Sequence, residues 1–576
     1  MGQGELLNED LDVASDSGEA KQTQLDAIVD YIQEEFTKLN CEKVPKPWLP
    51  SLPYQMTTTV EGISCGEKIC LKIPLGMVDI PDKQAQKEFV VDLEKDGTFG
   101  YFAASGYGKT MVLANCVLSL ARRNSVSMLN FYIFDFGNSA LIPLKDLAHT
   151  ADYMTYDDEE KRIKFFKLIR GEMKQRKQLM AKYAAQNVSV YNQIAKEPLK
   201  AIVVVVDNMD ILKEIGIDEE EEFTKIARDG ASLGIYLMFS AISENGIRYG
   251  TMNNVKVKVA GFMYDESDIH SLVGRGQYKL PDRKGRAMVK FEGVNVMQMY
   301  TAVAFTDEIT YIKELKDIVS KINNAYPNEH APKIPVLPEI FRYEQFSDYE
   351  MGTKEMDIKL GLDVEDVFVQ GITIYQSPFA IIGESGRGKT NMLKGILNQL
   401  EGAQIIYLFD SMSRELNSYK TMENVVYVQS DEQIDEFVLQ MTDIGNMRNE
   451  EFSVALSEQE DLTIKDFVAG LEPIYIVVDG TDEFIERINE NYEDDIVPIL
   501  EKAVNMGVML ILSIHSAKFH GYDDLTSYIK KANYGLVLGD QGNADFFPVS
   551  YSDKVDFGHG LLFKNGAKVE VLLPQC

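Results

Sequence analysis

Two eight-residue stretches carry the residue types that chemistry on a phosphate requires: AASGYGKT at 103–110 and GESGRGKT at 383–390. In the pattern G-x-x-x-x-G-K-[ST], the glycines let successive backbone N–H groups face nucleotide phosphates. The lysine neutralises β/γ charge and the hydroxyl ligates Mg²⁺. Gly383, Gly388, Lys389 and Thr390 fill the pattern, with Glu384, Ser385, Gly386 and Arg387 between them. The first copy supplies Ser105, Gly106, Tyr107, Gly108, Lys109 and Thr110, but Ala103 stands at the leading glycine. A methyl is tolerated there provided φ stays negative, so a phosphate cradle is expected at both places.

Either motif alone could be a glycine-containing turn. What separates them from chance is the apolar run that follows each, AIVVVVD ending in Asp207 and IYIVVD ending in Asp479. An aspartate at that point holds the Mg²⁺ shell, which makes Thr110 with Asp207, and Thr390 with Asp479, the expected metal set. Hydrolytic relatives of this motif place a glutamate next, to orient the attacking water. Asn208 and Gly480 occupy that position, and neither takes a proton. Asp210 and Asp482 are the nearest later carboxylates, either as substitutes or as caps of the next segment. Ser240 and Ser243 in FSAIS, and Ser513, His515 and Ser516 in LSIHS, lie where a γ-phosphate sensor would, although hydroxyls at strand ends are also ordinary.

The elements that position these residues occur twice. IPLGMVD (73–79) is answered by IKLGLDVED (358–366), FYIFDFGNSAL (131–141) by IYLFDSMSREL (406–416), and AIVVVVDNMD (201–210) by PIYIVVDGTD (473–482). GRAMVKFEGVNVMQM (285–299) is answered by GHGLLFKNGAKVEVL (558–572). The order never breaks, which is the signature of a tandem duplication. Within each unit, strand-like runs of β-branched residues without alternation lie between helical stretches, the pattern of a mainly parallel sheet wrapped by helices. The acidic run 218–222 suits the first turn of a solvated helix. The expected organisation is as follows: 1–24 a disordered lead-in or the edge of an excised fragment, 25–53 a helix and Pro-rich linker belonging to an upstream domain, and 54–326 the first P-loop domain. A Pro-rich linker at 327–340 and a second P-loop domain at 341–576 complete it.

Composition narrows the function classes. With 90 acidic and 58 basic residues the 576-residue chain carries a formal charge of −32, which repels phosphate backbones and disfavours nucleic acid as a partner. Five cysteines, Cys41, Cys65, Cys70, Cys116 and Cys576, lack metal-ligand spacing and suit a reducing compartment. No apolar run reaches the roughly 18 residues that span a bilayer, so a membrane would be reached through a partner or through sequence outside this chain.

Taken together, PLGMVD, FDFGNSAL, VVVVDNMD, ARDGASLGIYLMFSAIS and GRAMVKFEGVNVMQMY, duplicated in tandem, resemble the FtsK/SpoIIIE-type ATPase modules of type VII secretion motors, the EssC/EccC family. The resemblance covers about residues 25–576. It implies two RecA-like cores that bind ATP and Mg²⁺, being the second and third ATPase domains of a longer, membrane-anchored, hexameric protein at the cytoplasmic face of the bacterial membrane. It also implies recognition of small helical WXG100-type secreted proteins by the last domain, together with other secretion components. Ala103, Asn208 and Gly480 depart from a competent hydrolase, and Arg286, which could complete a neighbour's site in such a ring, is replaced by His559 in the second unit. Two other classes stand beside this one: a DNA translocase of the same core, and a non-enzymatic adaptor for which ATP is a structural ligand. The segment 425–470, with IDEFVLQMTDIGNM, has helical apolar spacing that would line a substrate groove or pack a core.

Overall fold

The computed structural model describes residues 23–39 and 49–575, apart from 61, 64, 65, 67, 354, 401, 460, 490, 491, 518, 520, 540–546, 548, 551, 552 and 554. Of the expected lead-in 1–24, residues 1–22 lie outside the described residues, as do the segment 40–48 and Cys41, Cys65 and Cys576. The chain divides into two compact units, residues 1–157 with 171–332, and 158–170 with 333–576. The helical spacing near the N-terminus corresponds to α1, Gln24–Lys38, which has no buried residue.

The first unit contains β1 Lys72–Ile80, β2 Ala85–Asp92, β3 Thr98–Phe102, β4 Leu129–Asp135, β5 Thr150–Met154, β6 Ala201–Asp207, β7 Ile235–Ala241, β8 Val255–Gly261, β9 Arg286–Lys290 and β10 Val294–Thr301. The second contains β11 Ile358–Asp363, β12 Val369–Ile372, β13 Phe379–Gly383, β14 Ile405–Phe409, β15 Val425–Tyr427, β16 Ile474–Val478, β17 Val508–His515, β18 Tyr534–Leu538, β19 His559–Lys564 and β20 Ala567–Leu572. The first sheet runs β2-β1-β10-β9-β8-β3-β7-β6-β4-β5, with the short strand Met56–Thr57 pairing in parallel with β10 off this path, and the second runs β12-β11-β20-β19-β18-β13-β17-β16-β14-β15. Each strand therefore has its counterpart ten labels on, in the same place.

From β8 to β5, and from β18 to β15, neighbouring strands are parallel. The remaining strands form an antiparallel wing that the sequence reading did not separate from the parallel part. Every residue of β6, β7 and β16 is buried, as expected for strands covered on both faces. These unbroken Val and Ile runs supply much of the core, at roughly 1.5–3 kcal/mol per fully buried side chain.

The helices opening at the two cradles are α2, Lys109–Ala121, and α4, Lys389–Leu397. In α2 every residue from Val112 to Ala121 is buried, so its N-terminus is fixed against β3 by packing along nearly its whole length. The acidic run opens helix Ile217–Lys225, with Asp218, Glu219 and Glu220 in the first turn.

A repeated device ties a long helix to the centre of each sheet. On α3, Glu159–Lys182, Arg176 donates to the Leu233 carbonyl at 2.7 Å and pairs with Glu172 at 2.8 Å. On α5, Asp431–Glu458, Arg448 donates to the Met506 carbonyl, to Gln404 Oε1 at 2.6 Å and to the Glu472 carbonyl at 2.7 Å. Both guanidinium groups are buried, and both reach the turn that leads into the strand beside the cradle. Removing one leaves buried carbonyls without a donor, at about 1–3 kcal/mol each. Arg448→Ala is therefore expected to lower the stability of the second unit by about 3 kcal/mol, read as a shift of the urea midpoint at constant slope.

Candidate functional site

Both cradles sit at the carboxyl ends of the central parallel strands β3 and β13, where open α/β sheets bind ligands. In the first, Gly106 and Gly108 have φ of 84° and 86°; in the second, Gly386 and Gly388 have 78° and 96°. Side chains disfavour this left-handed region, so the glycines are required by backbone path, and a Cβ at any of the four would meet open space. Lys109 Nζ donates to the Ala103 and Ala104 carbonyls at 3.0 and 3.3 Å, and Lys389 Nζ to the Gly383 and Glu384 carbonyls at 2.9 and 2.8 Å. Each ammonium is folded over its own loop. Burial holds both lysines below their usual pKa, opposed by Asp207 and Asp210 at the first and by Asp479, Asp482 and Glu384 at the second.

The hydroxyl and carboxylate expected to share a metal are in contact. Thr110 Oγ1 donates to Asp207 Oδ2 at 2.5 Å, and Thr390 Oγ1 to Asp479 Oδ2 at 3.4 Å. The other carboxylate oxygen is held from the next strand, Ser240 donating to Asp207 Oδ1 and Ser513 to Asp479 Oδ1 at 2.5 Å. Burial raises the Asp207 pKa, and the hydrogen bonds from Ser240 and Thr110 pull it back. Hard oxygen donors beside a lysine and turned backbone N–H groups fit a magnesium nucleotide.

The difference at the leading position has a structural counterpart. Ala103 is fully buried and is not among the residues of positive φ. Its methyl faces Gly261 on β8, where a Cβ would come within 2.8 Å of it and run into the Tyr101 hydroxyl. In the second unit the neighbouring position is Leu538, and a Cβ on Gly383 would lie 3.1 Å from the Leu538 Cβ and 2.8 Å from its carbonyl oxygen. Small and larger residues are exchanged between adjoining strands, so the first cradle keeps its shape with alanine in front.

Among the other expected site residues, Ser240 and Ser513 are brought to the aspartates, whereas Ser243 and Ser516 lie in the loops beyond, and His515 Nδ1 accepts from the Ala517 N–H at 3.3 Å. Asp210 accepts from the Ile242 N–H at 2.7 Å, and burial raises its pKa. Asp482 lies in the first turn of α6, Thr481–Asn489. Arg286 is buried and donates to the Leu52 carbonyl at 2.5 Å, anchoring the segment ahead of β1; His559, its counterpart, pairs with Glu570 at 3.0 Å. Tyr107 latches the first loop by donating to Asp282 at 2.5 Å, a bond that pushes its own pKa up to about 12. In its place Arg387 lies against Gly539. A cavity of about 430 Å³ adjoins the second loop, lined among others by Arg387, Asn391, Met392, His559 and Leu573.

Sequence reasoning missed a second carboxylate in each site. Asp135, beside Asp207 in register, accepts from Tyr153 at 2.8 Å and from the Leu141 N–H at 2.9 Å. Asp410 accepts in the same way from Tyr427 at 2.7 Å and from the Leu416 N–H at 3.1 Å. The repeated Phe-Asp pair in FDFGNSAL and FDSMSREL was the available signal.

Residues 72–275 match the FtsK/SpoIIIE family. Over 98% of its length the chain is 30% identical to the ESX secretion system protein YukB of Bacillus subtilis, covering 38% of that protein. The structure of EssC (ATPases 2 and 3) from Geobacillus thermodenitrificans superposes with a TM-score of 0.79 at 28% identity, covering 92% of this chain and 100% of that one. In sequence and fold the chain is similar to ATPases 2 and 3 of the EssC/EccC proteins. At 19% identity and a TM-score of 0.50, over 92% of this chain and 97% of the other, the fold is also that of Thermomonospora curvata EccC (ATPases 2 and 3), solved in complex with a signal sequence peptide. The chain spans about 38% of the length of the curated relative it matches, and among the described residues no helix is long and apolar enough to cross a membrane.

Within these EssC/EccC-like modules the exchange of residues at the first cradle is open to direct test. Gly261→Ala should destabilise the first unit by about 1–3 kcal/mol, the usual range for overpacking. Adding Ala103→Gly should recover part of that loss in urea unfolding. Equal stability of parent and Gly261→Ala would show that the two strands do not constrain one another.

Proposed function

We propose that both cradles bind Mg-ATP with weak turnover, and that this pair of modules, residues 54–326 and 341–576, receives secreted proteins of the WXG100 type in a type VII secretion motor. The observation that carries the reading is the doubled arrangement of a lysine over the loop carbonyls and a threonine–aspartate pair, with Asn208 and Gly480 where a hydrolase places its glutamate. Lys109 and Lys389 hold β/γ charge, Thr110 with Asp207 and Thr390 with Asp479 hold the Mg²⁺, and the cavity beside Arg387 receives the base at the second site. The ion supplies charge neutralisation at the phosphates. In a longer protein of the EssC/EccC kind these modules sit at the cytoplasmic face of the membrane, within a hexamer, tethered by segments outside this chain.

The second module is the receiver in this reading. Of the segment 425–470, helix α5 buries Ile434, Phe437, Val438 and Met441 in the core. It leaves Leu439, Met447 and Val454 exposed, within about 80° of one another around the helix at 3.6 residues per turn. An apolar row of this kind suits the helix-in-groove mode of recognition. The signal sequence peptide held by the Thermomonospora curvata protein names the ligand class to test. The charge of −32 argues against the DNA translocase reading.

Lys389→Ala should abolish nucleotide retention in the second module and Lys109→Ala in the first, measured by chromatography of nucleotide released on denaturation. A C-terminal tail peptide of a WXG100-type protein should bind the intact chain in calorimetry and lose at least about tenfold in affinity with Leu439→Asp. Duplex DNA at physiological salt should bind no better than the weakest non-specific range, about 10⁻⁴ M; a micromolar, salt-sensitive complex would restore the translocase.

A further inference from the structure

The two cradles differ at a position that the duplication makes easy to overlook. Three residues after Gly480 the second unit has Glu483, where the first, counting from Asn208, has Ile211. Gly480 has φ 81°, in the left-handed region, while Asn208 is extended at φ −120° and ψ 119°. The sharper turn is pinned by the Gly480 N–H donating to Ser513 Oγ at 3.1 Å and by Thr481 Oγ1 donating to the Ser513 carbonyl at 2.7 Å. These bonds fix the start and rotation of α6.

With that helix so placed, a Cβ on Gly480 would lie 3.8 Å from the carboxyl carbon of Glu483. A glutamate at 480 would carry its own carboxyl carbon about 2.5 Å from the same point, the span of two carbon–carbon bonds. The same point lies 3.1 Å from the Cβ of Ser411, whose hydroxyl donates to Asp479 Oδ2 at 3.3 Å. The half-buried Glu483 carboxylate thus stands next to the position that a hydrolase fills with its base. Its Oε2 accepts from the Met412 N–H at 3.2 Å, which orients the group, and Oε1 makes no hydrogen bond among the described residues. Among the described residues the first cradle has no carboxylate at the equivalent position, where Ile211 is apolar.

We propose that Glu483 is the catalytic base of the second cradle and that turnover by this chain resides there, an inference that rests on the Mg-ATP reading above. Water hydrogen-bonded to Glu483 Oε1 attacks the γ-phosphorus of ATP. The new P–O bond forms as the bond to the β,γ-bridging oxygen breaks, ADP leaves with that electron pair, and the water proton passes to Glu483 before returning to solvent. A glutamate reaching the site from the following helix replaces one that the strand end lacks, while the first cradle holds nucleotide without a base.

The test uses the intact chain carrying Lys109→Ala, so that the first cradle is silent. Glu483→Gln keeps an oxygen for the Met412 N–H but accepts no proton; it should lower steady-state ATP turnover at least about tenfold, from the range general bases supply, and leave ATP affinity within about twofold. Turnover within twofold of the parent, activity that survives Lys389→Ala, or a parent chain without turnover would each overturn the proposal. Nucleotide binding measured on the same proteins separates the two readings. If Lys389→Ala retains ATP as the parent does, the Mg-ATP reading fails; normal binding with unaltered turnover in Glu483→Gln defeats the role of Glu483 alone.

Discussion

A carboxylate at the end of a fully buried strand is the constraint on which each module is organised. Asp207 and Asp479 follow runs of Val and Ile that water does not reach, and an ionised group there is costly unless hydrogen-bonded. The threonine of the phosphate loop and the serine of the next strand supply donors to its two oxygens. That arrangement links three strands and one helix N-terminus: the loop after the central strand, the strand that carries the aspartate, and the strand between them. Once the carboxylate is satisfied in this way, the loop is held in place, because the same threonine lies in the first turn of the helix that the glycine-rich loop precedes.

The duplication preserved this scaffold and varied its edges. Ten strands recur in the same order, and a buried arginine on the long helix repeats its bond to the turn before the neighbouring strand. Phe-Asp at the end of β4, and across the end of β14, repeats its tyrosine and backbone partners. The surroundings of the loops diverge. Tyr107 latches one to Asp282, Arg387 lies beside Gly539 in the other, and Arg286 anchors an incoming segment where His559 borders a cavity. In the proposed reading, modules that share a core and differ at the rim of the site take unequal roles, one holding nucleotide and the other coupling it to a partner.

The parts legible in the sequence were those written in local spacing. The glycine and lysine of each loop announce backbone turns and phosphate charge within eight residues, and the apolar run ending in aspartate needs no neighbour to be recognised. The internal repeat gave the tandem arrangement and the mainly parallel sheets, because β-branched runs without alternation have one stable fate. The antiparallel wing was less visible: its strands alternate weakly, and their pairing joins segments separated by some two hundred residues, such as Val296 and Asp79. Arg176 and Arg448 read as ordinary charges on helices; their burial depends on a carbonyl that only the folded chain presents to them.

The amino-acid order by itself determined that there are two glycine-rich loops of phosphate-cradle pattern, each with its lysine, hydroxyl and aspartate, and that neither has a glutamate directly after that aspartate. Tertiary structure decided what those departures mean. Ala103 is accommodated because Gly261, 158 residues later (261 minus 103), lies on the neighbouring strand without a side chain. Glu483 is brought beside Gly480 by a left-handed turn and two hydrogen bonds to Ser513. In both cases the deciding quantity is a separation of three or four ångströms between groups on different elements, set by strand register and helix rotation. Neither is encoded in any short stretch of residues, because each is fixed by the packing of the whole sheet.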